Sequence, residues 1–269
     1  MHDISKRSAA QIKWVSKWPA FKAAKSVLEL GAGSFETLSK LAQDYPEKNF
    51  FGVDFTLRSS ALDIIKTAPN NLHVLKGDVR NLEVLHKNSF DFAFSIALVE
   101  HIRELDDHLK CVHRVLKRGG YYNFMASPLW SSSLGHHCDH NAPNCLVPHY
   151  GHLYMTRETL GDWMVENKGE SREKIEQILR RIYDRHDLSR LSYSQIINCV
   201  DKSSFRIKYW RVSKDKNFDS WKKKLVIKNN LYKISPKDLR ISGVVCSLKK
   251  NCDHQYPIWR SWVRRVSGI

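Results

Sequence analysis

Val27-Leu28-Glu29-Leu30-Gly31-Ala32-Gly33 is a short apolar run that passes through an acidic residue into two spaced glycines. An apolar run bounded by glycine reads as a buried strand. Glycine just past its end lets the backbone approach a ligand that a Cβ would hold away. A second run, Asn49-Phe50-Phe51-Gly52-Val53-Asp54, follows about twenty residues on and again ends in a carboxylate. In a doubly wound sheet these two strand ends lie side by side, and such a carboxylate commonly receives a ribose hydroxyl. The pattern predicts a site for a nucleoside-containing cofactor.

The spacing argues against a dinucleotide. A dinucleotide fingerprint needs a third glycine three positions after Gly33, where this chain has Glu36 at the start of a predicted helix. A carboxylate there repels a pyrophosphate brought to the helix N-terminus. The order continues instead with Gly77-Asp78-Val79 after the run Leu72-His73-Val74-Leu75, then Phe90-Asp91-Phe92-Ala93-Phe94-Ser95, Val99-Glu100-His101 and Leu116-Lys117-Arg118-Gly119-Gly120. Over residues 25–127 this series resembles the class I S-adenosylmethionine-dependent methyltransferases. The resemblance implies S-adenosylmethionine as cofactor, with its methionine part against Gly31 and Gly33 and Glu29 nearby. It implies that Asp54 takes both ribose hydroxyls, that Phe55 lies near the adenine, and that Asp78 and Val79 read the adenine edge through a carboxylate and a backbone N–H. Ser95 and Ile96 fall where the fourth strand passes beneath the cofactor. Many members carry a further glycine where this chain has Phe35, and a ring there either narrows the methionine end of the site or turns away.

Alternating apolar strands and helical segments indicate an α/β fold. The expectation is a Rossmann-like, doubly wound sheet of seven strands, mostly parallel, with helices on both faces and an antiparallel last strand. Helices are predicted over 6–24, 35–44, 57–67, 104–117 and 156–166, with further helical segments at 170–187 and 192–200. Strands are predicted over 26–30, 49–54, 72–76, 90–96, 121–127, 205–212 and 241–248, the last two as an antiparallel closing pair. Thr156 is placed to cap its helix. A chain of 269 residues buries a substantial core. The simplest division is one domain over 1–251, with 128–203 as a substrate-side insertion and 252–269 as a tail rich in Trp and Arg.

No apolar run is long enough to cross a bilayer, and Met1–Arg7 has no apolar segment of signal-peptide type. The 6 cysteines show no paired spacing, which reads as reduced thiols in a cytoplasmic protein. The formal charge of +16 favours anionic partners. Much of it falls late, in the stretch from Lys208 to Lys228 with Trp210 and Trp221 interleaved, and in Trp259-Arg260-Ser261-Trp262-Val263-Arg264-Arg265. Such a pattern fits peripheral contact with a membrane or acidic polymer, single-stranded nucleic acid, or a solvated surface with its tryptophans buried.

The segment from Pro128 to Tyr154, rich in Ser, His, Asn and Pro, reads as a long loop at the strand ends where α/β sheets bind substrates. It carries His136, His137, Cys138, Asp139, His140, Cys145, His149 and His152. A zinc site is one reading, but the spacing matches no structural zinc module. The other reading makes one or two histidines the general base that deprotonates an acceptor. The stretch from Ser127 to Tyr154 also resembles bacterial methyltransferases encoded with surface-polysaccharide genes. His101 is a further candidate base, since it follows the fourth strand and sits beside Glu100, a carboxylate able to orient it or raise its pKa. The candidate catalytic residues are thus His101, His136, His137 and His152. The remaining histidines, among them His73, His108 and His113, read as surface residues or as satisfying local hydrogen bonds.

The leading expectation is O-methylation of a polar, anionic small molecule or glycan, such as a precursor of a surface polysaccharide. An RNA or DNA methyltransferase is the alternative that charge offers. Against it, Ser95-Ile96-Ala97-Leu98 stands where enzymes acting on exocyclic base nitrogens carry an Asn/Asp-Pro-Pro-aromatic turn, and no cysteine follows the fourth or fifth strand directly. A non-catalytic binding module is the third reading.

Overall fold

A computed structural model describes residues 5–138, 145–221 and 230–251. Helix α1 (Lys6–Ser16) leads into the short α2 (Pro19–Ala23), and then β1 (Ser26–Leu30), α3 (Glu36–Asp44), β2 (Asn49–Asp54), α4 (Ser59–Lys66) and β3 (Leu72–Lys76) alternate. Next come β4 (Phe90–Ile96), a single 3-10 turn (Val99–His101), α5 (Leu105–Val115) and β5 (Leu116–Ala126). The remainder holds α6 (Gly151–Tyr154), α7 (Arg157–Lys168), α8 (Arg172–Leu179), α9 (Tyr193–Lys202), β6 (Phe205–Lys214) and β7 (Ile241–Lys250).

The strands form one seven-stranded sheet in the order β3-β2-β1-β4-β5-β7-β6. Pairs among β1 to β5 are parallel, and β7 runs antiparallel to both β5 and β6. This is the expected sheet. The chain reverses direction across the sheet between β1 and β4, which opens a crevice at their carboxyl ends. One face is covered by α5, α9 and the segment from Leu82 to Leu85, packed on Leu28, Leu30, Tyr122 and Phe124. The other is covered by α1 to α4, packed on Val27, Phe50, Phe92 and Phe94.

Local departures from the sequence reading have identifiable causes. The helix predicted over 6–24 breaks at Trp18, which is extended (φ −76°, ψ 127°) because Pro19 follows it. Strand β5 begins at Leu116, five residues ahead of the expectation: Leu116 pairs with Phe90, and a register shift lets Gly119 (φ +76°) and Gly120 be accommodated inside the strand. A Cβ on Gly120 would stand 2.9 Å from the Lys117 carbonyl oxygen, so glycine is required there.

The described part of residues 128–150 is irregular, as the loop reading has it, and 151–154 form the short α6. The segment is nevertheless packed: Leu129, Trp130, Ser131, Ser132, His136, Val147, Tyr150, His152 and Leu153 are all buried. Trp130, Val147, Tyr150 and Leu153 join Leu160 and Met164 of α7 and Ile175 and Leu179 of α8 in a third core. Asp215 ties this unit to the end of β6, accepting the Ser133 N–H at 2.6 Å and the Ser133 hydroxyl at 2.9 Å. The Tyr150 hydroxyl donates to the Leu239 carbonyl at 2.9 Å. Among the described residues, Trp210 is half-buried against Phe124 and Tyr193 and donates to the Tyr193 hydroxyl at 3.2 Å, so it serves the core. Trp221 and the tail 252–269 lie outside the residues whose side chains are described. Among the described residues, Cys111, Cys199 and Cys246 are free thiols.

Phe35 does not narrow the crevice. Its backbone is left-handed (φ +62°), its ring is fully buried, and it packs against Gly52 of β2. A Cβ on Gly52 would lie 2.5 Å from the Phe35 ring and 2.8 Å from Leu38. Gly52→Ala is therefore expected to destabilise the fold by about 1–3 kcal/mol through overpacking, read as a fall in thermal midpoint.

Candidate active site

The crevice collects the loops after β1, β2, β3, β4 and β5. The loop after β1 is pinned to β2, since Gly31 N–H and Ala32 N–H both donate to the Val53 carbonyl, at 2.8 and 3.2 Å. Gly31 and Gly33 have φ of +73° and +59°, a conformation that favours glycine. No atom lies within 4 Å of the position a Gly33 Cβ would take, so the space beside this backbone is open. At Gly31 a Cβ would instead meet Leu98 at 2.7 Å.

Asp54 stands at the exposed mouth of the crevice. Its Oδ2 accepts the Gly33 N–H at 2.8 Å and its Oδ1 the Thr56 N–H at 3.0 Å. A carboxylate has about four acceptor positions, so two stay available for a pair of hydroxyls. Phe55, next in sequence, is 70% exposed, an aromatic face held in solvent at the crevice edge. Glu29 is buried, its Oε2 has no hydrogen-bond partner, and burial, aided by the charge of Asp54, pushes its pKa well above the usual carboxylate range. An orphaned buried carboxyl oxygen, an open glycine cradle and an uncovered aromatic together fit an amino-acid-bearing nucleoside.

Two carried-over positions are more constrained than the sequence implied. Arg80 grips Asp78 through Nε and Nη2, at 3.0 and 2.6 Å to its two oxygens, while Nη1 reaches Glu104 at 2.6 Å. The hydrogen bonds from Arg80 outweigh the effect of burial and hold the Asp78 carboxyl below the usual range. Any adenine amino group must share this carboxylate with a guanidinium, and nothing but the adjacency of Arg80 hinted at it. The Ser95 side chain is fully buried and bonds the Tyr122 hydroxyl at 2.7 Å, so it lies inside the sheet and only its backbone, with Ile96, borders the crevice.

The histidines divide by their hydrogen bonds. His101 Nδ1 lies 2.6 Å from the Asp187 carbonyl oxygen. A carbonyl only accepts, so Nδ1 carries the proton and Nε2 keeps the lone pair of a base. Glu100 does not orient this ring: its carboxyl turns inward and accepts the Ser127 N–H at 3.2 Å. Burial pushes Glu100 up to about 8, against the lowering effect of nearby N–H groups and of the Arg7 charge. His137 stands beside His101, ring centroids 5.0 Å apart, with Nε2 2.9 Å from the Pro128 carbonyl oxygen. His136 and His152 belong to the third core. His136 Nδ1 accepts the Cys138 N–H at 3.0 Å, which occupies the lone pair a base would use. His152 Nε2 donates to the Trp130 carbonyl at 2.8 Å, and burial pushes its pKa down to about 4, too low for an effective base near neutrality. Among the described residues no group of three or more His, Cys, Asp or Glu side chains is placed to hold a metal ion.

These buried groups set an expected pH dependence. Burial pushes His108 and His152 from 6.5 down to about 4, so unfolding takes up protons in that interval and stability falls on acidification through it. Glu100 works oppositely: raised from 4.5 to about 8, its contribution is complete below 4.5 and is lost as pH rises toward 8. Thermal or urea denaturation across pH is expected to show a maximum at about pH 6.5. A Glu100→Gln variant should remove part of the alkaline decline, and the raised carboxyl of Glu29 should sustain the rest.

The sheet order and the crevice are those of the class I methyltransferase fold. Residues 28–124 match the family model described as "Methyltransferase domain". That matched stretch is thus a methyltransferase domain by sequence and by fold, and S-adenosylmethionine is the cofactor of such a domain. No curated protein matches it in sequence. Among solved structures, phosphoethanolamine N-methyltransferase 2 of Haemonchus contortus, in complex with S-adenosyl-L-methionine, is similar with a TM-score of 0.54 and 16% identity, over 91% of this chain and 52% of that one. The [4+2]-cyclase SpnF is similar with a TM-score of 0.54 and 12% identity, over 90% of this chain and 80% of that one. At such identities the likeness concerns the fold alone. No helix among the described residues is long and apolar enough to cross a membrane.

Proposed function

We propose that the protein transfers a methyl group to a hydroxyl of a polar, anionic small molecule or glycan, with His101 as the general base. The observation that carries this reading is the tautomer of His101, whose Nδ1–H is held by the Asp187 carbonyl and whose Nε2 is left to take a proton. Bound S-adenosylmethionine supplies an electrophilic methyl on a sulfonium, so the protein's task is to position the acceptor and remove its proton. In this reading Asp54 holds the ribose hydroxyls, Phe55 lies along the adenine, Gly31 and Gly33 admit the methionine part, and Glu29 Oε2 receives its ammonium. An ammonium beside Glu29 would favour the ionised carboxylate that burial disfavours in its absence.

Charge supports an anionic acceptor. The formal net charge is +16, which favours anionic partners. A surface-polysaccharide precursor bearing a phosphate or carboxylate has this chemistry, and the Ser127–Tyr154 resemblance points the same way. A nucleic-acid acceptor rests on charge alone. The Haemonchus contortus enzyme is named for an amine acceptor, so hydroxyls and amines belong in one screen, and the name of SpnF makes binding without methyl transfer an outcome worth recording.

The test is calorimetric titration with S-adenosylmethionine, S-adenosylhomocysteine and NAD, followed by a methyl-transfer screen over sugars, phosphorylated sugars, amines and RNA. Micromolar binding of the two sulfur nucleosides and transfer to a hydroxyl of an anionic acceptor is the expected result. Binding of NAD alone, or transfer confined to RNA or to amines, would overturn it.

A further inference from the structure

His108 sits in the middle of α5 and is fully buried. Its Nδ1 lies 3.0 Å from the Val79 carbonyl oxygen and its Nε2 2.9 Å from the Tyr122 hydroxyl, which in turn lies 2.7 Å from the Ser95 hydroxyl. The proton positions follow from one fact: the Val79 carbonyl only accepts. Nδ1 therefore donates to it. Burial pushes the imidazole down to about 4, so the ring is neutral near pH 7 and Nε2 must accept from the Tyr122 hydroxyl. Tyr122 oxygen then accepts from Ser95. The chain runs one way, Ser95 to Tyr122 to His108 to the Val79 carbonyl, and links β4, β5 and α5 to the loop after β3.

The same face of α5 grips that loop at further points. Cys111 Sγ donates to the Arg80 carbonyl at 2.9 Å. Arg114 donates to the carbonyls of Leu82 and, at 3.0 Å, Leu85. Glu104, just ahead of the helix, receives Arg80 Nη1 at 2.6 Å. Residues three or four apart lie on one side of a helix, so a single stripe of α5 holds successive loop carbonyls. His108 is the member that reaches the segment Asp78-Val79, and the only one of these contacts that continues to the strand beneath the crevice.

We infer that His108 is a positioning residue for the recognition of the adenine edge, fixing the Val79–Arg80 peptide and through it the Val79 backbone, so that Asp78 and the Val79 N–H of the preceding peptide face the cofactor in a set geometry. This rests on the reading of Asp78 and Val79 as the adenine-facing pair. Removing the His108 donor frees the Val79 carbonyl to rotate, and the loop loses its ability to distinguish the 6-amino edge of adenine from a 6-oxo edge. A purely structural histidine would weaken every nucleoside equally.

The experiment is calorimetry of the full chain with S-adenosylhomocysteine and with S-inosylhomocysteine, in which a 6-oxo group replaces the 6-amino group. Wild type is expected to prefer the adenine ligand by about 10- to 100-fold, the range of one or two hydrogen bonds to a charged or fixed partner. His108→Leu should reduce that preference to about 3-fold or less, and His108→Asn, which keeps an N–H near the Nδ1 position, should restore most of it. Should His108→Leu fail to fold, Tyr122→Phe leaves the ring in place but removes the donor that sets its tautomer, and an intermediate preference is expected. A preference unchanged in folded His108→Leu, or unchanged in Tyr122→Phe where the leucine variant does not fold, overturns the inference, as does equal weakening of both ligands. Wild type that binds both ligands without preference overturns the adenine reading, and wild type that binds neither overturns the cofactor assignment with it.

Discussion

Asp54→Ala is expected to reduce affinity for S-adenosylhomocysteine by about 10²- to 10⁴-fold, beyond ready detection by calorimetry. The argument is additive at the level of single bonds. A hydrogen bond to a charged acceptor is worth about 1.5–3 kcal/mol, and the ribose would lose two of them. The carboxylate also accepts the Gly33 and Thr56 N–H groups, at 2.8 and 3.0 Å, so its loss loosens the glycine loop proposed to admit the methionine part. Both of those bonds lie at the exposed mouth of the crevice, where water replaces the lost acceptor, and the thermal midpoint should fall little. Asp54→Asn keeps one oxygen acceptor and the side-chain shape and should retain part of the affinity. An alanine variant that binds as wild type would show that the ribose lies elsewhere.

His101→Gln is expected to lower kcat for the acceptor by about 10²- to 10⁴-fold, the usual contribution of a positioned general base. Binding of S-adenosylhomocysteine should stay within about 2-fold, because the imidazole acts on the acceptor's proton and the proposed ribose and adenine contacts come from the loops after β2 and β3. The separation of kcat from cofactor affinity is the informative part. His152→Gln is the control that separates a buried structural histidine from a base. Its ring holds the Trp130 carbonyl inside the third core, so this substitution should lower the thermal midpoint while leaving kcat of the folded enzyme nearly intact. If His101→Gln turned over normally and His152→Gln did not, the assignment of the base would be reversed.

Sequence patterning carried most of the sheet. Apolar runs ending at Gly31, Asp54 and Gly77 announce parallel strands because both faces of such a strand are buried and the ends must stop for a ligand. The pairings of β1 with β2 and of β2 with β3 place those three ends in a row. The same patterning found the irregular segment at 128–154 but not that it is packed. Serines and histidines there bond nearby backbone groups, as in the bond from the Ser132 hydroxyl to the Leu129 carbonyl at 2.7 Å, so a polar composition is compatible with burial. Its apolar residues Trp130, Val147, Tyr150 and Leu153 have no periodicity because the segment is irregular, and a core without periodicity leaves no local signal.

The amino-acid sequence by itself determined the class of fold and placed Glu29, Gly31, Gly33, Asp54 and Phe55 at or beside the ends of two strands, since strand ends, glycine conformations and strand-end carboxylates are local properties of the chain. Tertiary structure decided which groups are committed elsewhere. Glu100 neighbours His101 in sequence yet serves Ser127, while the partner of His101 is the carbonyl of Asp187, far along the chain. Arg80 occupies Asp78, Phe35 turns beneath Gly52, and His108 meets Ser95 only through Tyr122 of another strand. Hydrogen-bond partners of buried side chains are set by which elements pack together, and that packing is a property of the whole sheet and its helices.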